Sequence, residues 1–149
     1  MNDSVDESPT RDLSAHASEL RMATFRLARR LRAERAVDTM SDGQFAVLAA
    51  LTVHGEHTLG QLADRERVTA PSMNRTVTLL EDAGFVSRTP DPADRRRVTI
   101  RLTEDGVAVV DETVRRRDAW LEHALAELDE RERQTLADAA EIMRKVADR

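Results

Sequence analysis

Three helix-start signals in succession, followed by a change of hydrophobic period, constrain this 149-residue chain more than any other feature. Ser41-Asp42-Gly43-Gln44 and Thr58-Leu59-Gly60-Gln61 share the Ser/Thr-x-x-Gln form of a capping box. In that motif the hydroxyl accepts the third backbone N–H of the helix, and the glutamine reaches back to the cap residue. The third start is Thr69 before Ala70-Pro71, where proline removes no intrahelical hydrogen bond. The first helix has Phe45, Leu48 and Leu51 on its expected core face and ends at His54-Gly55, with glycine at its C-terminal cap. The second is short, with Leu59, Leu62 and Ala63 inward. The third, Thr69–Ala83, has Met73, Val77 and Leu80 as its buried stripe, and Gly84 closes it. The period then shortens to two. Phe85–Thr89 reads as a strand, Pro90–Asp94 is turn chemistry, and Val98, Ile100 and Leu102 alternate with Thr99, Arg101 and Thr103, the pattern of a half-buried strand. The chain is therefore expected to be mainly α with a small β-hairpin. The hairpin tip carries Arg95-Arg96-Arg97.

The flanks are helical by the same reasoning. Residues 1–10 are acidic and aperiodic and read as a disordered tail. Leu13, Ala17, Leu20, Thr24, Leu27 and Leu31 recur in alternating steps of four and three, a narrow seam that calls for a partner helix. After the hairpin, Thr103-Glu104-Asp105 caps a long helix striped by Val107, Val110, Val114, Leu121, Leu125 and Leu128. Asp129-x-x-Glu132 starts a last helix striped by Leu136, Ala140, Met143 and Ala147. This predicts a single domain over 11–149. Its central lobe is 41–103, and 11–38 and 104–149 are helices available for dimerisation.

Composition removes whole classes of function. With no cysteine, disulfides, thiolate metal sites and cysteine nucleophiles are excluded. There is no Gly-rich phosphate loop, serine elbow or paired-histidine metal motif, so no enzyme is expected. His54 and His57 flank Glu56 at a helix end, and no third ligand accompanies them; zinc needs three or four, so neither metal nor cofactor is expected. His16 and His123 fall on the flanking helices, where a surface or interface role is expected. Phe25 and Trp120 are expected to be core or interface anchors. No apolar run approaches the length of a membrane span, and no signal peptide is visible, so a soluble cytoplasmic protein is expected.

Net charge is −5, which by itself disfavours nucleic acid, but its distribution does not. Residues 21–40 hold six arginines against two acids, and residues 69–101 hold six against four. A local basic surface matters more for phosphate contacts than the global sum. A helix fits the major groove, with its first turns able to reach base edges and phosphates. Here they offer Thr69, Ser72, Asn74, Arg75 and, further along, Thr78. An arginine-tipped hairpin suits the adjacent minor groove, where negative potential is strongest when the groove is narrow. Arg88, Asp94, Arg95, Arg96 and Arg97 are the expected DNA-binding residues of the wing. The alternative is a winged-helix module that binds protein without touching DNA, although such a wing has no need of three consecutive arginines.

Residues 41–106 resemble the MarR family of bacterial winged helix-turn-helix regulators. The resemblance rests on Gln44-Phe45-Ala46-Val47-Leu48, Leu59-x-x-Leu62-Ala63, Pro71-Ser72-Met73-Asn74-Arg75 and Leu80-Glu81-Asp82-Ala83-Gly84-Phe85-Val86-x-Arg88. It continues through Asp91-Pro92-x-Asp94-Arg95-Arg96 to Leu102-Thr103-x-x-Gly106. The resemblance implies a homodimer whose terminal helices interlock. Each lobe would read half of a pseudo-palindromic operator on double-stranded DNA. It implies a role as a transcriptional regulator, most often a repressor, with release by a small aromatic or phenolic effector in many members. It also implies that Arg96 enters the minor groove while Asp94, paired to it, sets its orientation. No motif marks the effector-binding residues.

Overall fold

The computed structural model describes residues 8–94 and 96–149, with side chains from Asp12 onward. Two compact units divide the chain, one ending at Glu34 and the other running from Arg35 to Arg149. The first is essentially one helix, α1 (Ser8–Ala33). It begins inside the segment expected to be a disordered tail: Ser8, Pro9 and Thr10 are helical, and Pro9 sits in the first turn, where proline favours helix initiation. Residues 1–7 of that tail lie outside the described residues. Along α1, Leu13, Leu20, Met22, Phe25 and Leu27 are exposed, so Phe25 is not buried within this unit.

The second unit contains α2 (Asp42–His54), β1 (His57–Thr58), α3 (Leu59–Glu66), α4 (Ala70–Asp82), β2 (Val86–Pro90), β3 (Val98–Leu102), α5 (Glu104–Ala126) and α6 (Glu130–Ala147). The expected caps form. Gln44 N–H donates to Ser41 Oγ at 3.1 Å, and Gln44 Oε1 accepts Ser41 N–H at 2.7 Å. Thr58 and Gln61 repeat the box, as do Asp129 and Glu132, and Thr69 and Thr103 cap α4 and α5.

The hairpin gains a third strand. The sheet order is β1-β3-β2, all antiparallel, with His57 opposite Ile100 and Thr58 opposite Thr99. Two residues are too few to show an alternating period, so β1 is decided by pairing. Its second residue is also the cap of α3, which fastens the helix-turn-helix directly to the sheet.

The core is formed by Leu48 and Leu51 of α2, Leu62 of α3, Met73, Val77 and Leu80 of α4, Val86 and Ile100 of the sheet, and Val110 of α5. Because α2 is apolar nearly all round, it packs on more than one side; Val47 and Ala50 are buried as well. Phe45, expected in the core, is only half-buried. Its ring lies beneath the Arg117 guanidinium, 4.3 Å from the centroid, a cation–π arrangement. The inner face of α5 also differs from the hydrophobic stripe. Val107 and Val114 are exposed, while Thr113 is buried. The Thr113 hydroxyl accepts the Ala36 N–H at 3.1 Å, which gives a partly buried backbone donor its partner. Packing, rather than side-chain hydropathy, selects which face of α5 turns inward. At the end of this unit Arg133 of α6 donates to the Leu128 carbonyl at 2.5 Å and holds the turn between α5 and α6.

Candidate nucleic-acid interface

α4 is held from below by Met73, Val77 and Leu80, each 2% exposed or less, and this fixes which residues point outward. Thr69, Ser72, Asn74 and Arg75 are exposed, and Thr78 is half-buried. No acidic residue occupies the first turn of α4, so the positive end of its dipole is not offset by a local carboxylate. Thr69 Oγ1 accepts the Ser72 N–H at 3.3 Å. Among the described residues no hydrogen bond or ion pair engages the Arg75 guanidinium, which leaves a free cation on the helix surface.

The turn leading into α4 is unusual. Arg67, the C-cap of α3, has φ 53° in the left-handed region, an uncommon conformation outside glycine. Val68 N–H donates to the Ala63 carbonyl at 3.0 Å across it. Arg65 and Arg67 are both exposed and stand just before α4. Neither was among the expected site residues. The signal for them is simply two arginines flanking the turn between two capped helices.

The wing is a tight, self-bonded turn. Asp91 N–H donates to the Arg97 carbonyl and Arg97 N–H to the Asp94 carbonyl, both at 2.8 Å. Asp91 Oδ1 accepts the Ala93 N–H at 2.8 Å, and Asp94 Oδ1 accepts the Arg96 N–H at 3.0 Å. The expected ion pair between the Asp94 and Arg96 side chains is absent among the described residues. Asp94 acts on Arg96 through its backbone, so the carboxylate shapes the turn and leaves the guanidinium outside it. Arg96 and Arg97 are exposed, and among the described residues neither guanidinium has a partner. Arg95 lies outside the described residues.

Arg88 has a different place from the one expected. Instead of pointing from the wing, it is turned back onto α4. Its Nη1 donates to Glu81 Oε2 at 2.5 Å, and its Nη2 to Asn74 Oδ1 at 3.0 Å and Thr78 Oγ1 at 3.1 Å. Arg88 thus braces the helix against β2. Glu81, seven residues away in sequence, was not among the expected site residues, although it lies in the same Leu80–Arg88 motif. Arg101 is likewise paired, with Glu56.

His54 and His57 have ring centroids 6.3 Å apart, and among the described residues no three His, Cys, Asp or Glu side chains converge as a metal site would require. Among the described residues no helix is long and apolar enough to cross a membrane.

The chain is similar to known proteins over most of its length. The family model described as "MarR family" matches residues 40–98, from the residue before the α2 cap to the first residue of β3. The helix-turn-helix-type transcriptional regulator Mb0904 of Mycobacterium bovis is 41% identical over 132 residues, spanning 89% of this chain and 92% of the relative. The solved structure of a transcriptional regulator protein from Pseudomonas aeruginosa superposes with a TM-score of 0.83 at 30% identity, covering 93% of this chain and 98% of that one. A variant of S. aureus MepR bound to an oligodeoxyribonucleotide shares the fold, with a TM-score of 0.70 at 21% identity over 88% of this chain and 97% of its own.

Proposed function

The chain belongs to the MarR family of helix-turn-helix transcriptional regulators, and on that premise we propose that it works as a homodimer on a pseudo-palindromic operator. It is a DNA-binding regulator of transcription, not an enzyme. In the proposed complex two copies of α4 enter successive major grooves about one helical turn apart. The two wings reach the flanking minor grooves. A dimer seated on a promoter excludes the transcription machinery, so repression is the expected outcome. Release by a small aromatic or phenolic ligand belongs to the same reading. Such a ligand must bind the DNA-competent and DNA-incompetent lobe spacings with different affinity, since equal affinity shifts nothing.

One observation carries this reading. The exposed cations of the lobe, Arg75 on α4 and Arg96 and Arg97 on the wing, have no partner among the described residues, while Arg88 and Arg101 close by are paired. An unpaired guanidinium at a rigid turn is available to phosphates and groove edges. A MepR variant that shares the fold is bound to an oligodeoxyribonucleotide, which is in keeping with DNA as the partner.

Dimerisation is supported by the apolar surface the chain leaves uncovered. On α6, Leu136, Ile142, Met143 and Val146 are all exposed, from 38% to 60%. An apolar stripe of this extent marks an interaction surface. Sedimentation equilibrium, with and without an operator duplex, tests both parts. The wild-type chain is expected to run at twice the chain mass and to bind duplex as two chains per site. Ile142→Glu places a charge on the stripe without touching the lobe core. It is expected to run as a monomer and to lose duplex binding by about two orders of magnitude or more, because each half-site must then be bound alone. A wild-type monomer that binds duplex one to one would refute the proposal.

A further inference from the structure

Asn74 and Thr78 stand one turn apart on α4, and Arg88 approaches them from β2. Glu81 fixes the guanidinium from the far side: its Oε2 accepts from Nη1 at 2.5 Å and its Oε1 accepts the Arg88 backbone N–H at 3.2 Å. Nη2 is thereby aimed at Asn74 Oδ1 (3.0 Å) and Thr78 Oγ1 (3.1 Å), with the Asn74 carbonyl at 3.5 Å. A guanidinium carries donors only. The Asn74 amide must therefore turn its oxygen to Arg88, and its NH2 is left pointing away. Thr78 is also committed, since its hydroxyl donates to the Asn74 carbonyl at 2.8 Å. Asn74 itself is exposed.

This arrangement bears on base readout. An unconstrained asparagine in the major groove reads adenine with both ends of its amide, donating to N7 and accepting from N6. The amide oxygen keeps a second lone pair, but its bond to Arg88 turns it toward β2, so the NH2 is the end presented outward. Guanine offers two acceptors, N7 and O6, to such a donor; adenine offers one acceptor beside a donor. We infer that Arg88 is a specificity-determining positioning residue: by holding the Asn74 amide oxygen it makes Asn74 a reader that presents its donor end and favours guanine over adenine at the base it meets. The inference rests on the reading that α4 enters the major groove.

The test is selection of binding sites from a random duplex library by the full-length chain, followed by sequencing, for wild type, Asn74→Ala and Arg88→Met. Asn74→Ala identifies the position that Asn74 reads, as the one whose preference is lost. Wild type is expected to favour guanine over adenine there by roughly tenfold, the range of a good directional base contact. Arg88→Met keeps the length of the side chain and removes its donors. It is expected to shift that one position toward adenine while the rest of the site stays unchanged. A purely structural role for Arg88 would instead weaken binding to all sequences evenly, and that result overturns the inference. Adenine at the Asn74 position in the wild-type site also overturns it, as does an Asn74→Ala profile identical to wild type. Should Arg88→Met fail to fold by circular dichroism, Asn74→Asp takes its place. The carboxylate still accepts from Arg88 but donates nothing, so guanine preference is expected to disappear in favour of cytosine, and its persistence refutes the inference. Enrichment of no sequence by wild type overturns the DNA-binding reading itself, an outcome distinct from an enriched site with the wrong base.

Discussion

Arg96→Ala is expected to weaken operator binding by about 1–3 kcal/mol per half-site. A homodimer changes both wings at once, so the total is about 2–6 kcal/mol, or roughly 30-fold to 10⁴-fold in affinity. The size of the effect comes from preorganisation. The Arg96 N–H is held by Asp94 Oδ1 at 3.0 Å, and the next N–H, that of Arg97, by the Asp94 carbonyl at 2.8 Å. The backbone that carries the guanidinium is thus set before DNA arrives, and little ordering remains to be done on binding. Arg101 provides the control. It is also a wing-strand arginine, but Glu56 already neutralises it, so Arg101→Ala is expected to change affinity by less than about threefold, in the manner of an exposed ion pair. Anisotropy titration of both variants against one labelled duplex decides the matter. Equal losses for the two would mean that general positive charge, and not the geometry of the wing tip, drives binding.

Gly106→Ala is expected to be the most damaging single-methyl substitution where α5 meets the lobe. A Cβ at Gly106 would stand 2.0 Å from the Phe85 carbonyl oxygen and 3.0 Å from Leu102 Cδ2. The near contact is backbone, and that same carbonyl accepts the Thr103 N–H at 3.1 Å. Neither side can yield without lifting the start of α5 off the sheet or opening the turn before β2. Gly84, at φ 83°, makes that turn, and its carbonyl accepts the Thr103 hydroxyl at 2.6 Å. Overpacking at so rigid a contact is expected to cost on the order of 3 kcal/mol, about 10 °C in melting temperature for a chain of this size. Gly43→Ala is the matched control, also in the first turn of a helix. Its Cβ would meet only Ser41 Oγ, at 3.9 Å, and the change is expected to be neutral or slightly stabilising. Thermal melts followed by circular dichroism at one protein concentration compare the two. Identical melting of Gly106→Ala and wild type would show that α5 is free to move off the sheet.

These two cases also show what a sequence can reveal. The caps at Ser41, Thr58, Thr69, Thr103 and Asp129 were legible because a cap is settled within four residues. The Met73, Val77 and Leu80 stripe was legible because α4 has one apolar face and one polar face. Gly106 was legible as part of a motif, but its reason, the Phe85 carbonyl, exists only once β2 and α5 meet. β1 was not legible, since its two residues become a strand only beside β3. Thr113 and Val114 exchanged their expected places because the donor that Thr113 satisfies, the Ala36 N–H, lies 77 residues away. The site divides in the same manner. Ser72, Asn74 and Arg75 are exposed along α4, as their spacing from the buried stripe required. Arg88 was grouped with the wing because it is an arginine near other arginines, and only Glu81, Asn74 and Thr78 acting together turn it back. Asp94 was read as orienting Arg96 through an ion pair, but its carboxylate accepts the Arg96 backbone N–H, and among the described residues no ion pair joins the two side chains.

The central claim is that the unpaired arginines of α4 and the wing bind DNA as a dimer. Its most direct test is the affinity of the wild-type chain for a duplex from the intergenic region upstream of its own gene, measured by fluorescence anisotropy across a salt series. Each phosphate neutralised releases condensed counterions, so log affinity is expected to fall linearly with log salt at a slope of about −0.9 per contact. Arg75, Arg96 and Arg97 from two protomers make up to about six such contacts, which puts the slope near −5. A steep slope of that order, on a sequence preferred over unrelated duplex, is the predicted result. Binding that is insensitive to salt would contradict the account, as would the absence of binding both to this duplex and to fragments selected from the whole genome.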